Sequence, residues 1–218
     1  MNLNKFYNKK KILITGHTGF KGSWLVNWLS RYNVKIMGIG LNPDNNLSLF
    51  NYLDKKKLID KRFDIANYEK LEKNILEFKP DIIYHLAAQS LVKKSIVNPL
   101  ETLRTNILGT ANILNCINKL KKKTISVIVT SDKCYQNLNL LRGYREEDRL
   151  GGHDPYSASK ASAEIVFKSY FNSILKKNKK IRIATARAGN VIGGGDWSSD
   201  RLVPDCIKAW ASNKKVFI

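Results

Sequence analysis

A short apolar run at 11–15, Lys-Ile-Leu-Ile-Thr, is followed at once by Gly16-His17-Thr18-Gly19-Phe20-Lys21-Gly22 and then by an apolar pattern of helical period over 23–32. This succession of strand, glycine turn and helix restricts the fold more than any other stretch. Glycines at these three places permit a tight turn, let backbone N–H groups approach a phosphate, and let the helix pack close on the strand. The spacing Gly-x-x-Gly-x-x-Gly departs from the dinucleotide fingerprint Gly-x-Gly-x-x-Gly, so its place between strand and helix carries the reading, not the triplet alone. In the helix, Trp24, Leu25, Trp28 and Leu29 are expected to share one apolar face.

Further strands are predicted over 34–41, 62–64, 81–86, 125–129 and 182–187, alternating with helices over 68–78, from Asn98-Pro99 to about 119, and from 156 to about 176. Alternation of this kind gives an α/β fold with a doubly wound parallel sheet, whose ligands bind beyond the carboxyl ends of the strands. Asn42, with Asp44 close by, stands where an acidic residue usually grips the adenosine ribose, and this favours NAD over NADP. Asp64, with Ile65 beside it, either meets the adenine edge or caps the next helix. Leu86, Ala87 and Ala88 end the fourth strand with little bulk, which suits a cofactor lying close and equally suits packing; Gln89 follows them. Asn106, within the long helix, is either solvated or bonded to Lys160 or a water behind the site.

The strand predicted over 125–129 ends in Thr130-Ser131-Asp132-Lys133-Cys134-Tyr135, and Tyr156 and Lys160 stand four apart at the start of a helical pattern. They therefore lie on one helix face, where a lysine ammonium would favour tyrosinate and make the phenol a usable base. Tyr-x-x-x-Lys also occurs at Tyr7/Lys11 and Tyr52/Lys56, but only Tyr156 follows a strand with a polar end. Downstream, Gly193 to Gly195 are expected to form a mobile loop to which Asn190, Asp196 and Arg201 lend polar reach, followed by a helix over 202–212 and a strand over 216–218.

A chain of 218 residues with 43% hydrophobic and 26% charged content can bury a substantial core. No apolar run approaches the ~20 residues of a membrane span, and the first ten residues lack the apolar centre of a signal peptide, so the cytoplasm is the expected compartment. Three scattered cysteines and three histidines without ligand spacing lead us to expect neither a disulfide nor a metal. The net charge of +20 is spread over short lysine runs at element boundaries with no interleaved aromatics, a pattern that argues against a nucleic-acid partner.

Four strings carry a resemblance: Gly16-His-Thr-Gly-Phe-Lys-Gly-Ser-Trp24, Thr130-Ser-Asp-Lys-Cys-Tyr135, Gly152-His-Asp-Pro-Tyr-Ser-Ala-Ser-Lys160 and Arg187-Ala-Gly-Asn-Val-Ile-Gly-Gly-Gly-Asp-Trp197. On them the chain resembles the extended short-chain dehydrogenase/reductases, which have a Rossmann-type fold, and among these the family of CDP-glucose 4,6-dehydratases. The resemblance implies a bound NAD, CDP-glucose as substrate, and Tyr156 as base aided by Ser131 and Lys160. It further implies Asp132 as the acid for the departing 6-hydroxyl. Lys133 stands where relatives acting on dTDP-glucose carry a glutamate base, so it would act neutral, with a pKa lowered by burial, or hold a water. Gln89, Ser131, Asn190 and Arg201 would face the substrate. It implies an NAD-binding domain over 1–187, the beginning of a smaller substrate-binding region over 188–218, and family chains about half as long again. Two helices with apolar faces, the later one carrying Ile165, Val166, Phe171 and Ile174, suit a homodimer built on a four-helix contact.

Two other readings remain on this sequence. A nucleotide-sugar epimerase on the same scaffold would keep Tyr156 and Lys160 but has no use for an acid and a base at Asp132 and Lys133. A non-catalytic NAD-binding fragment needs none of these four.

Overall fold

Six parallel strands pair in the order β3-β2-β1-β4-β5-β6 in the computed structural model, which describes residues 2–216. They are β1 (Lys10–Thr15), β2 (Val34–Gly40), β3 (Leu58–Arg62), β4 (Ile82–His85), β5 (Thr124–Val129) and β6 (Ile181–Ala186). The order reverses beside β1, whose register runs Ile12↔Ile36 on one side and Ile12↔Ile82 on the other. A crevice at this reversal, at the carboxyl ends of β1 and β4, is where such a sheet receives a ligand.

Side chains alternate across the sheet and divide the core in two. Leu13, Met37, Ile39 and Ile83 point to one face, against Leu71, Ile75 and Phe78 of α3 (Tyr68–Phe78), Ile113, Leu114 and Ile117 of α6 (Gly109–Lys119), and Val166 and Phe167 of α7 (Pro155–Ser173). Ile12, Ile14, Ile36 and Ile82 point to the other, against Tyr7 of α1 (Leu3–Tyr7) and Val26 and Leu29 of α2 (Phe20–Leu29). The fully buried branched side chains of β1 explain why that strand reads as an unbroken apolar run.

Several elements differ from the sequence reading. The third strand is Leu58–Arg62, not 62–64: its last three residues are charged and exposed, as suits a sheet edge, and its pattern is too polar to read as a strand. The face that α2 buries consists of Gly22, Ser23, Val26 and Leu29, while Trp24 and Trp28 are exposed. The tryptophans pack sideways instead: Trp28 meets Tyr7 and Tyr32 edge-on, and Trp24 Nε1 donates to the Gly194 carbonyl at 2.9 Å. The helix predicted from 98 to 119 is α5 (Pro99–Leu103), a π turn (Arg104–Leu108) and α6 in succession, and a short helix, α4 (Val92–Val97), precedes it. Asn98 caps α5 by accepting from the Glu101 amide, with Pro99 in the first turn where no N–H partner is needed.

The loop of three glycines is held at two points: the Gly194 carbonyl by Trp24, and Gly195, at φ +83, against Leu49. It leads into α8 (Leu202–Ala211). Val216 belongs to no strand, and Phe217 and Ile218 of the strand expected there lie outside the described residues. Among the described residues no helix is long and apolar enough to cross a membrane.

Candidate active site

The glycine turn closes on the rest of the crevice by direct backbone contact. Gly16 has φ +73, and a Cβ there would lie 2.6 Å from the Ala87 nitrogen; one on Gly22 would lie 2.0 Å from the Gly16 carbonyl oxygen. Gly19, the N-cap of α2, would meet only the Gly16 oxygen, at 3.4 Å, and provides no side-chain cap. The first amides of α2 are thus left facing an approachable surface. His17 is fully buried and fixes the turn to the sheet: Nε2 bonds Asp60 Oδ1 at 2.8 Å, and the ring meets Phe50 edge-on. Burial holds its pKa below the ordinary histidine value against the pull of Asp60. Thr18 is buried beside it, Phe20 and Lys21 open α2, and the Thr18 carbonyl accepts from Ser48.

The residues expected along the adenosine end divide. Asn42 is exposed just beyond β2, as a ribose contact requires. Asp64 accepts from the Ala66 amide and so shapes the turn before α3, while Asn67 is the cap of that helix. Ile65 is core, and a Cβ on Gly109 would lie 2.5 Å from its Cδ1. Leu86 turns toward α2, where it lines a groove with Trp24, Leu25 and Trp28. Ala87 and Ala88 remain half-exposed at the crevice.

At the carboxyl end of β5, Ser131 caps a single 3₁₀ turn (Asp132–Cys134), accepting from the Lys133 amide and donating to Asp132 Oδ1 at 3.0 Å. Asp154 caps α7 by accepting from the Ser157 amide and hydroxyl, Pro155 starts the helix, and the Tyr156 amide donates to the Ser95 hydroxyl. Tyr156 and Lys160 are both buried on one face of α7, with Lys160 Nζ 6.0 Å from the tyrosine ring centre. The Tyr7 hydroxyl instead pairs with that of Tyr84, and Tyr52 is exposed.

Two expectations about this cluster are corrected. Asn106 is buried and bonds the Gln89 amide, the Gln89 carbonyl and the Ser159 hydroxyl, not Lys160. It lies in the π turn, and Ser159 passes the link on to the Tyr156 carbonyl. Gln89 spends its side chain on Leu91 and Thr102, which turns it away from a substrate. Behind these, His85 bonds Thr15 at 2.7 Å, and its pKa is pushed down to about 3 by burial and by Lys160, so it is a neutral spacer.

The electrostatics also differ from the simple pairing of tyrosine with lysine. Burial raises the Tyr156 pKa, opposed by the Ser131 hydroxyl and by Arg201, while Asp132 and Asp154 add to the rise. Lys160 is lowered to about 8 by burial and by Lys21, opposed by Cys134 and Glu164. Lys21 is itself lowered by burial and by Arg201. Positive charges therefore gather at this end of the sheet, Arg201 acting on the Tyr156 phenol and on Lys21, and Lys21 on Lys160, a grouping that no spacing in the sequence indicates. Arg201 bonds Ser90 and pairs with Asp196, with Nε buried and unpartnered. Lys133 is exposed, which removes the burial expected to neutralise it; Asp132 and Asn190 are exposed as well. Sequence reasoning missed Ser95, Ser159, Asp60 and Glu164, whose partners are remote along the chain.

A sheet in this order, with a glycine turn after its first strand and a serine, tyrosine and lysine at its carboxyl edge, defines a short-chain dehydrogenase/reductase of the extended kind. Within that class, the family described as GDP-mannose 4,6 dehydratase matches residues 13–194, and the chain belongs to it. It is 43% identical over 98% of its length to the CDP-glucose 4,6-dehydratase of Salmonella typhimurium, of which the match covers 61%. Among solved structures, the dTDP-glucose 4,6-dehydratase of Bacillus anthracis in complex with NAD superposes with a TM-score of 0.79 at 27% identity, over 94% of this chain and 63% of that one. The UDP-glucose 4-epimerase of Thermotoga maritima with UDP-glucose superposes at 0.84 and 21% identity, over 95% and 65%, a likeness of fold. The chain thus spans a little over six tenths of the length of these relatives.

Proposed function

We propose that this chain carries the NAD site and the acid–base groups of a 4,6-dehydratase that converts CDP-glucose to CDP-4-keto-6-deoxyglucose. The observation that carries the reading is the adjacency of Asp132 and Lys133, exposed at the crevice, to Ser131 and the buried Tyr156. An epimerase has no use for an acid and a base at that point. The likeness to the Salmonella typhimurium enzyme supports the CDP-sugar, and the NAD in the Bacillus anthracis structure supports the cofactor.

The residues fit such a cofactor. Gly16 and Gly22 leave no room for a side chain where the backbone must close, and Gly19 leaves room outside, so a pyrophosphate can reach the first amides of α2. Lys160, buried and in no ion pair among the described residues, suits ribose hydroxyls at the crevice. When bound, NAD supplies the acceptor and later the donor of hydride.

Tyr156 takes the proton of the sugar 4-hydroxyl. Burial alone makes its phenol a poor acid, so its action rests on the stabilisation of phenolate by the Ser131 hydroxyl and the positive charge of Arg201. Once carbon 4 is a ketone, the proton on carbon 5 is acidic; with Lys133 exposed, the reading left for it is that it holds the water that takes this proton while Asp132 protonates the leaving 6-hydroxyl. Arg201 and the exposed Asn190 would meet the nucleotide part of the substrate. Ketosugar absorbance in alkali after incubation with CDP-glucose, without net NADH, is the expected result; a galactose epimer with no ketosugar would overturn the assignment. For the assembly, exposed Leu100, Leu108 and Ile165 on α5–α6 and α7 favour a homodimer through four helices, which sedimentation would test.

A further inference from the structure

Glu164 is a buried carboxylate on α7, one turn beyond Lys160 and two beyond Tyr156, and none of the chemistry above employs it. Its Oε1 accepts from Thr130 Oγ1 at 2.5 Å, and its Oε2 accepts from Thr185 Oγ1 at 3.3 Å and from Arg187 Nη2 at 3.1 Å. Thr130 immediately precedes Ser131, and Thr185 and Arg187 flank the end of β6. One carboxylate therefore joins the carboxyl ends of two strands to the helix that bears the tyrosine and lysine. Arg187 is fixed in turn: its guanidinium stacks on Tyr135 at 4.8 Å from the ring centre and donates to the Glu146 carbonyl.

We infer that Glu164, paired with Arg187, is a positioning residue: it fixes Ser131 relative to Tyr156 and presents a buried negative charge to Lys160. The inference rests on the site proposed above. A carboxylate so placed is costly unless every lone pair is engaged, and here three donors engage it. The groups facing Lys160 are Lys21 from α2, Cys134 from the 3₁₀ turn, His85 from β4, and Tyr156 and Glu164 from α7 itself. Of these Glu164 is the buried carboxylate, and it opposes the fall in the lysine pKa that burial and Lys21 produce. A glutamine keeps the shape and can still bond Thr130, so Glu164→Gln removes the charge while sparing the packing.

The test is the titration of Lys160 in the intact protein, followed by the ¹³Cε resonance of labelled lysine and assigned with Lys160→Arg. In Glu164→Gln the midpoint should fall below its starting value near 8, since Glu164 opposes the lowering that burial and Lys21 produce. The alkaline decline of kcat/KM should move down with it, and kcat should fall more than KM changes. Arg187→Met, which removes the neighbouring cation, should move the midpoint the opposite way, and it serves as the test if the glutamine variant does not fold. An unmoved midpoint in a folded variant would overturn the inference. Shifted midpoints in a protein without dehydratase activity would overturn the proposed reaction and leave the role of Glu164 standing.

Discussion

Lys160 Nζ lies 6.0 Å from the centre of the Tyr156 ring, and both side chains are buried. The lysine is lowered to about 8 and the tyrosine raised, so the pair is held away from the protonation balance that either group would adopt in water.

The first prediction concerns stability. A lysine whose folded pKa is depressed binds fewer protons folded than unfolded between about 8 and its ordinary value, so stability should rise with pH across that window. Below about 8 the buried ammonium is a standing cost. Lys160→Met should therefore stabilise the cofactor-free protein at pH 7 by about 1–3 kcal/mol while removing activity, and the advantage should shrink as pH rises past 8. Urea unfolding at several pH values checks the sign.

Tyr156→Phe removes the proton acceptor without altering packing. Turnover should fall by about 10²–10⁴, with NAD affinity changed little. Single-turnover kinetics with calorimetry separates the two, and unimpaired turnover would place the base elsewhere.

Gly22→Ala tests the turn. Its methyl group would lie 2.0 Å from the Gly16 carbonyl oxygen, so the turn and α2 must separate, at a cost of about 1–3 kcal/mol and with loss of NAD binding. Thermal unfolding and NAD titration of the variant should both show it; normal NAD affinity would mean that the turn does not hold the cofactor.

Lys133→Met should spare oxidation at carbon 4 and stop proton loss at carbon 5. Exchange of solvent deuterium into carbon 5 during turnover is the readout, and undiminished exchange would assign that proton to another group.

Much of the fold was readable because its signals are local. The β1 run, the glycine turn and the apolar period over 68–78 appear in the structure as read, since burial on both faces of a strand and one face of a helix writes itself into adjacent residues. The edge strand Leu58–Arg62 was not readable, because an edge buries little and its last three residues face solvent. At the site, Tyr156 and Lys160 came from spacing and Ser131 from its place at the end of a predicted strand, and the structure brings them together. The engagement of Asn106 by Gln89 and Ser159, and of Gln89 by Thr102, depends on partners 17, 53 and 13 residues away, which no pattern within one segment encodes.

The central claim is that one sugar is oxidised, dehydrated and reduced again without leaving the site. CDP-glucose carrying deuterium at carbon 4 tests it most directly when incubated with the full-length protein and NAD and followed by mass spectrometry and NMR. The account predicts a 4-keto-6-deoxy product with the deuterium in its 6-methyl group and no net NADH. Deuterium retained at carbon 4 of an epimer, or released into NADH, would contradict it.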